Sequence, residues 1–185
     1  MRSMSGGSMN WRPLLRHFLR GTTFVVLSLS LAVLVFHFLL QPFQVAGVSM
    51  SPTLDDRDYL LVDRVFFRST GLRRGDLVVF RLETDPRFMV KRILGLPGEE
   101  ISGHDGVLLV NGKALSAADF GLTHLPDFGP CRVPHGSYFC LGDNPEVSMD
   151  SRTFGAVKIQ MIYGRPFLRY LPLARSGLIF PARQP

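Results

Sequence analysis

The stretch FMVKRILGLPGEE, Phe88 to Glu100, packs Phe, Met, Val, Ile and Leu into eight residues and then stops at Gly95, Pro97 and Gly98. A short apolar run closed by glycine and proline has the length and punctuation of a buried strand rather than a helix. Strand alternation sets Lys91 on one face with Met89 and Ile93. An ammonium on an apolar face loses hydration, so the pKa of that lysine is expected to fall. Lysine is also scarce: of 21 basic residues only Lys91, Lys113 and Lys158 are lysines.

Working outward, similar runs recur at Tyr59–Val62, Leu77–Leu82, Val107–Val110 and Tyr138–Leu141, separated by Gly, Pro, Asn and Asp. The 18 glycines and 13 prolines interrupt most helical windows, so a mainly β domain is predicted. Residues 102–135 are richer in Gly, Asp and His and include the turn sequence Asn111–Lys113, NGK. They are expected to form a small insertion on the main sheet. The tail from Tyr163 carries Phe167, Leu168, Tyr170, Leu171, Leu178, Ile179 and Phe180 among arginines. A final strand pair is expected there, part of it at lipid headgroups.

Upstream the pattern changes. No Lys, Arg, Asp or Glu lies between Arg20 and Asp55, and Thr22–Leu40 is 19 residues of almost unbroken apolar sequence. At about 1.5 Å per residue this spans a bilayer, and it exceeds the roughly 7–15 apolar residues of a cleaved signal sequence. Arg2, Arg12, Arg16 and Arg20 precede it without an acid, and hold four of the net +6 charges. The positive-inside bias therefore places residues 1–21 in the cytoplasm, 22–40 across the cell membrane, and 41–185 on the periplasmic or extracellular side.

From Gln41 onward 17 basic residues face 15 acidic ones. So balanced a domain gives no footing for a nucleic acid partner. Cys131 and Cys140 bracket RVPHGSYF; a bridge across that short loop and two separate thiols both stay open. Neither a second Cys pair nor a calcium-loop spacing accompanies them, so no metal and no cofactor is expected.

Val48–Leu54 reads VSMSPTL, which is either a plain turn leaving the span or a turn presenting a nucleophilic serine. The histidines of the outward part, His104, His124 and His135, all fall in the loop-rich insertion, and no GxSxG elbow occurs, which argues against a Ser-His-Asp triad. A lysine held neutral serves as base instead. Gly142–Arg152, GDNPEVSMDSR, is a polar loop after an apolar strand. There Ser148 is placed to hydrogen-bond the Lys91 amine, while Asp143, Asp150 and Arg152 fix the loop through charge-assisted contacts.

SMSPTL (Ser49–Leu54), VKRILGLPGE (Val90–Glu99) and GDNPEVSMDSR, in that order behind an N-terminal span, resemble the ordered motifs of bacterial type I signal peptidases, the Ser/Lys enzymes of the leader peptidase family. The resemblance covers roughly Pro42–Arg165. It implies a signal-peptidase-like β-sheet or barrel catalytic domain with Ser49 as nucleophile and Lys91 as general base. Ser148 would orient the lysine, with Asp143, Asp150 and Arg152 supporting the site and Met50 and Pro52 shaping the nucleophile's turn.

The resemblance also implies substrate binding by strand addition between Phe43, Gln44 and Val45 on one side and Met89 and Val90 on the other. Small pockets there would select Ala-x-Ala-like sites. The implied partners are preprotein signal peptides and membrane lipid. Three positions depart from the pattern. Gly47 stands where some members place a serine whose hydroxyl joins the oxyanion hole, and Pro145 and Glu146 replace an Arg-Asp pair after GDN. The Pro145 and Glu146 departures keep a conjugation-type processing peptidase with one dedicated substrate as the alternative; against a further reading, an inactive peptide-binding domain, stand the retained Ser49, Lys91 and Ser148.

Overall fold

The computed structural model describes residues 12–120, 122 and 124–180. Arg2 of the basic flank, and Gly121 and Thr123 of the expected insertion, lie outside the described residues. The chain divides into an N-terminal unit ending at Phe38 and a second beginning at Leu39.

The described residues of the first unit are all helical, within α1 (Arg12–Leu39). Its segment Arg16–Leu39 is long and apolar enough to cross a membrane, and none of its apolar window is buried. Thr22 and Thr23 turn their hydroxyls back onto the carbonyls of Phe18 and Leu19, which pairs polar groups that an apolar surrounding would leave unsatisfied. Leu40, read from sequence as the last residue of the span, is instead the first residue of β1 (Leu40–Gln44). The reason is competition for backbone groups: Leu40 pairs with Asp63, and the Leu39 carbonyl accepts the Arg64 N–H at 3.1 Å.

The second unit is built on two sheets. After β1 come β2 (Tyr59–Asp63), the short helix α2 (Phe66–Thr70), β3 (Leu77–Arg81) and β4 (Phe88–Gly95). A smaller group follows, β5 (Glu100–His104), β6 (Val107–Val110), β7 (Lys113–Ser116) and β8 (Phe128–Arg132). The chain then returns through β9 (Ser137–Leu141), the single turn α3 (Ser151–Phe154), β10 (Val157–Lys158), β11 (Ile162–Leu171) and β12 (Gly177–Leu178). The main sheet runs β1-β2-β11-β3-β4-β9-β10, with β12 added to β11; the second runs β7-β6-β5-β8.

Position in the sheet explains the composition. β3 and β9 are buried on both faces and read as continuous apolar runs. In β4 every residue from Lys91 to Gly95 is buried, so the simple alternation expected of it is masked. The small sheet is stitched by tight turns at Asp105–Gly106 and Asn111–Gly112, all four residues at positive φ, as a twist-compatible two-residue hairpin requires. Its apolar side shares one core with the main sheet, through Ile101, Leu108 and Phe120 against Leu94, Phe139 and Leu141. It is entered and left side by side: Gly98 N–H donates to Val133 O at 2.9 Å, and Val133 N–H to Glu99 O at 2.8 Å.

Cys131 and Cys140 are separate thiols, one on β8 of the small sheet and one wholly buried in β9. Gly164 of β11 is where two strands crowd. A Cβ there would fall 2.4 Å from the Asp63 carbonyl oxygen and 2.5 Å from Val62 Cγ1. Gly164→Ala is therefore expected to force β2 from β11 and cost about 1–3 kcal/mol, read as a lowered urea midpoint of the full chain in detergent.

Candidate active site

Residues 45–58 leave and rejoin the main sheet as one closed loop. Its base is the Val45 N–H to Asp58 O bond, 2.8 Å, and the Arg57 N–H to Val45 O bond, 2.9 Å. Inside it, Ser51 N–H donates to Val48 O and Leu54 N–H to Met50 O. Met50 and Leu54 are buried against Leu60, Val62 and Val79, so the turn is plugged into the core from below and carries Ser49 above. Gly47 has φ +93 and gives its N–H to Asp56 Oδ1 at 2.8 Å. Its backbone shape suits glycine, and its N–H is already engaged.

Lys91 projects from β4, opposite Val78 of β3, and is only 4% exposed. Its Nζ lies 2.7 Å from Ser49 Oγ. Burial pushes the amine down to about 8, against the pull of the Asp150 and Asp143 carboxylates. The contact therefore joins a hydroxyl to an amine that sheds its proton near neutrality.

The polar loop after β9 holds this pair in place. Asn144 N–H donates to the Ser49 carbonyl at 3.0 Å and Asn144 Nδ2 to the Val48 carbonyl at 3.3 Å. Asp143 is wholly buried and is met by Arg92 through Nε at 2.8 Å and Nη2 at 2.5 Å. The same guanidinium reaches Gly75 O at 2.8 Å and Thr53 Oγ1 at 3.2 Å. Asp150, also wholly buried, caps α3 by accepting the Arg152 N–H. It further accepts Gly142 N–H at 3.2 Å and Arg152 Nε at 2.8 Å. Arg152 Nη2 ties the loop back through Pro145 O at 2.7 Å.

Ser148 differs from expectation. Its hydroxyl is buried and makes no hydrogen bond among the described residues, so the bond to Lys91 expected from sequence is not formed. The 3-10 turn Pro145–Val147 ends at Ser148 and lays its side chain over Gly142. A Cβ on Gly142 would sit 2.2 Å from Ser148 Oγ and 2.5 Å from Ser49 O, so only glycine permits this approach. Arg92, Asn144 and Gly142 were not singled out from sequence. Arg92 carried a readable signal, since a charge inside a buried strand requires a buried partner.

Phe43, Gln44, Val45, Met89 and Val90 line one shallow cavity of about 120 Å³ together with Ser49 and Lys91. Phe43 and Phe88 of its lining meet each other and Tyr163 edge to face, with centroids 5.0 to 5.4 Å apart. Two strand edges border it. Among the described residues β1 pairs only with β2, and the partners of β4 in β9 begin at Arg92, leaving Phe88–Lys91 without a partner on that side.

The family described as signal peptidase, peptidase S26, matches residues 16–171. The chain is 38% identical over 159 residues to signal peptidase I T of Bacillus subtilis strain 168, covering 80% of this chain and 82% of that one. It is 39% identical over 163 residues to signal peptidase I P of Bacillus subtilis subsp. natto, covering 82% and 88%. A solved structure of a signal peptidase I from Enterococcus faecalis V583 is 31% identical, with a TM-score of 0.43 over 51% of this chain and 96% of that chain. With the family matched from residue 16 to 171 and relatives aligned over four fifths of its length, the chain belongs to the signal peptidase family, peptidase S26, and is a serine endopeptidase.

Proposed function

We propose that this chain is a membrane-anchored peptidase that removes signal peptides from exported preproteins at Ala-x-Ala-like sites, with Ser49 as nucleophile and Lys91 as general base. The observation that carries this reading is the 2.7 Å approach of a buried lysine amine to a serine hydroxyl inside a groove. A lysine at its usual 10.5 would need about 4.8 kcal/mol to present a neutral amine at pH 7; at about 8 it needs about 1.4 kcal/mol.

Neutral Lys91 takes the Ser49 proton as the oxygen attacks the scissile carbonyl, and the ammonium then returns a proton to the leaving amine. The acyl-enzyme is released by a water that the same amine deprotonates. The Ser49 N–H donates to no protein acceptor among the described residues and is the donor assigned to the developing oxyanion, since the Gly47 N–H is held by Asp56. Asp143 and Asp150 raise the lysine pKa against the larger effect of burial. Arg92 and Arg152 neutralise them.

An extended substrate adds its backbone between the open edges of β1 and β4, where Phe43, Val45, Met89 and Val90 leave room for small side chains. α1 anchors the chain in the cell membrane, with residues 1–21 cytoplasmic and 41–185 outside, an orientation that rests on the four arginines ahead of the span. Ser148, Asp150 and Arg152 then act as support around the lysine.

Purified wild type in detergent is expected to cut a preprotein bearing an Ala-x-Ala site, while Ser49→Ala and Lys91→Ala each lose on the order of 10³-fold or more. A wild type that spares this preprotein would point to a dedicated substrate, and full activity in Lys91→Ala would remove the lysine from the mechanism. Because the neutral amine is the active form, kcat/KM should climb about tenfold per pH unit below about 8 and level off above it. Arg92→Gln strands a buried carboxylate, with an expected loss of about 3–5 kcal/mol. In whatever fraction stays folded, the pH limb should move to higher pH.

A further inference from the structure

We infer that Arg169 and Arg175, from the end of β11 and the turn after it, are positioning residues that clamp the nucleophile loop through Asp58, Asp55 and Thr53; the inference takes Ser49 as nucleophile from the proposed function. The loop 45–58 is gripped on one flank by Asn144 and Arg92. On the other flank nothing from the main catalytic motifs reaches it. The contacts there come from more than a hundred residues further along the chain.

Asp58 is wholly buried at the base of the loop. Its Oδ2 accepts the Asp55 N–H at 3.0 Å and Arg169 Nη1 at 3.1 Å, and its Oδ1 accepts Arg175 Nη2 at 2.6 Å. Arg169 Nη1 also donates to the Thr53 carbonyl at 3.1 Å, and its Nε braces the Arg175 carbonyl at 2.6 Å. The other Nη of Arg175 meets the Asp55 carboxylate. That carboxyl is held below its ordinary range, first by the Ser51 hydroxyl and then by Arg175, so the grip extends into the turn next to Ser49.

Two details separate positioning from general support. Every side-chain partner of Arg175 lies in the loop itself, at Asp55 and Asp58. And Thr53 is held from both flanks, its carbonyl by Arg169 and its hydroxyl by Arg92. A continuous line of bonds thus runs from Arg175 through Asp58, Arg169, Thr53 and Arg92 to Asp143, and the next residue, Asn144, holds the Ser49 carbonyl. Neither Arg169 nor Arg175 lines the groove, so neither touches substrate. A guanidinium bridges two carboxylates through a rigid planar fork, whereas a lysine ammonium is a point charge on a flexible stem without that fixed geometry.

The test compares full-length wild type, Arg175→Ala and Arg175→Lys in detergent, by amide hydrogen exchange over residues 45–58 and by cleavage of an Ala-x-Ala preprotein. The expected result for Arg175→Ala is exchange faster by about tenfold, confined to that loop. A kcat lower by about 10- to 100-fold should accompany it, with KM within about twofold. Arg175→Lys should fall between, and the pH limb should stay near 8 because the surroundings of Lys91 are untouched.

Unchanged loop exchange, or faster exchange spread equally over β3 and β9, would overturn the clamp. Should wild type leave the preprotein intact while loop exchange still responds to Arg175→Ala, the clamp stands and the proposed function fails. If Arg175→Ala does not fold, Asp55→Asn weakens the outer contact, together with the Ser51 bond to the same carboxylate, and is read the same way.

Discussion

Taking the Lys91 amine out of water disfavours its charged form, and most of the domain can be understood as what that single burial requires. Two carboxylates lie close enough to pull a proton back onto the amine, and each is engaged by an arginine of its own. Buried pairs of this kind contribute little net stability, but removing one partner is costly. The site therefore tolerates the acids only as pairs. The effect falls on the amine, which burial holds below its ordinary range, at about 8.

The serine has the complementary problem. Its hydroxyl lies at hydrogen-bond distance from that amine although it belongs to a loop, and loops are the mobile parts of most folds. Here Met50 and Leu54 fasten the loop from beneath, Asn144 and Arg92 from one side, and Arg169 and Arg175 from the other. The strand scaffold supplies the lysine rigidly, and long-range polar contacts bring the loop to a comparable precision.

The strands around Lys91 and the apolar helix were legible because both are local patterns: run length, punctuation and the absence of charge. The ordered motifs pointed to Ser49, Lys91 and the groove residues, and the structure brings these into one cavity. What stayed hidden depended on partners far away in sequence. Leu40 pairs with Asp63 rather than extending the helix, Arg92 finds Asp143 51 residues on, and Arg175 finds Asp55 120 residues back. Ser148 illustrates a finer limit. Its neighbourhood was readable, but the direction of a hydroxyl over Gly142 follows from the packing of one short turn.

The small sheet enters and leaves at adjacent points, Gly98 and Glu99 beside Val133. The cost of closing a loop rises only slowly with its length, so this doorway is indifferent to how much chain lies beyond it. Provided something still covers Leu94, Phe139 and Leu141, the segment could grow or shrink between lineages without moving β4. In mechanical terms it is a side compartment, whose contents are set apart from the strand that carries Lys91.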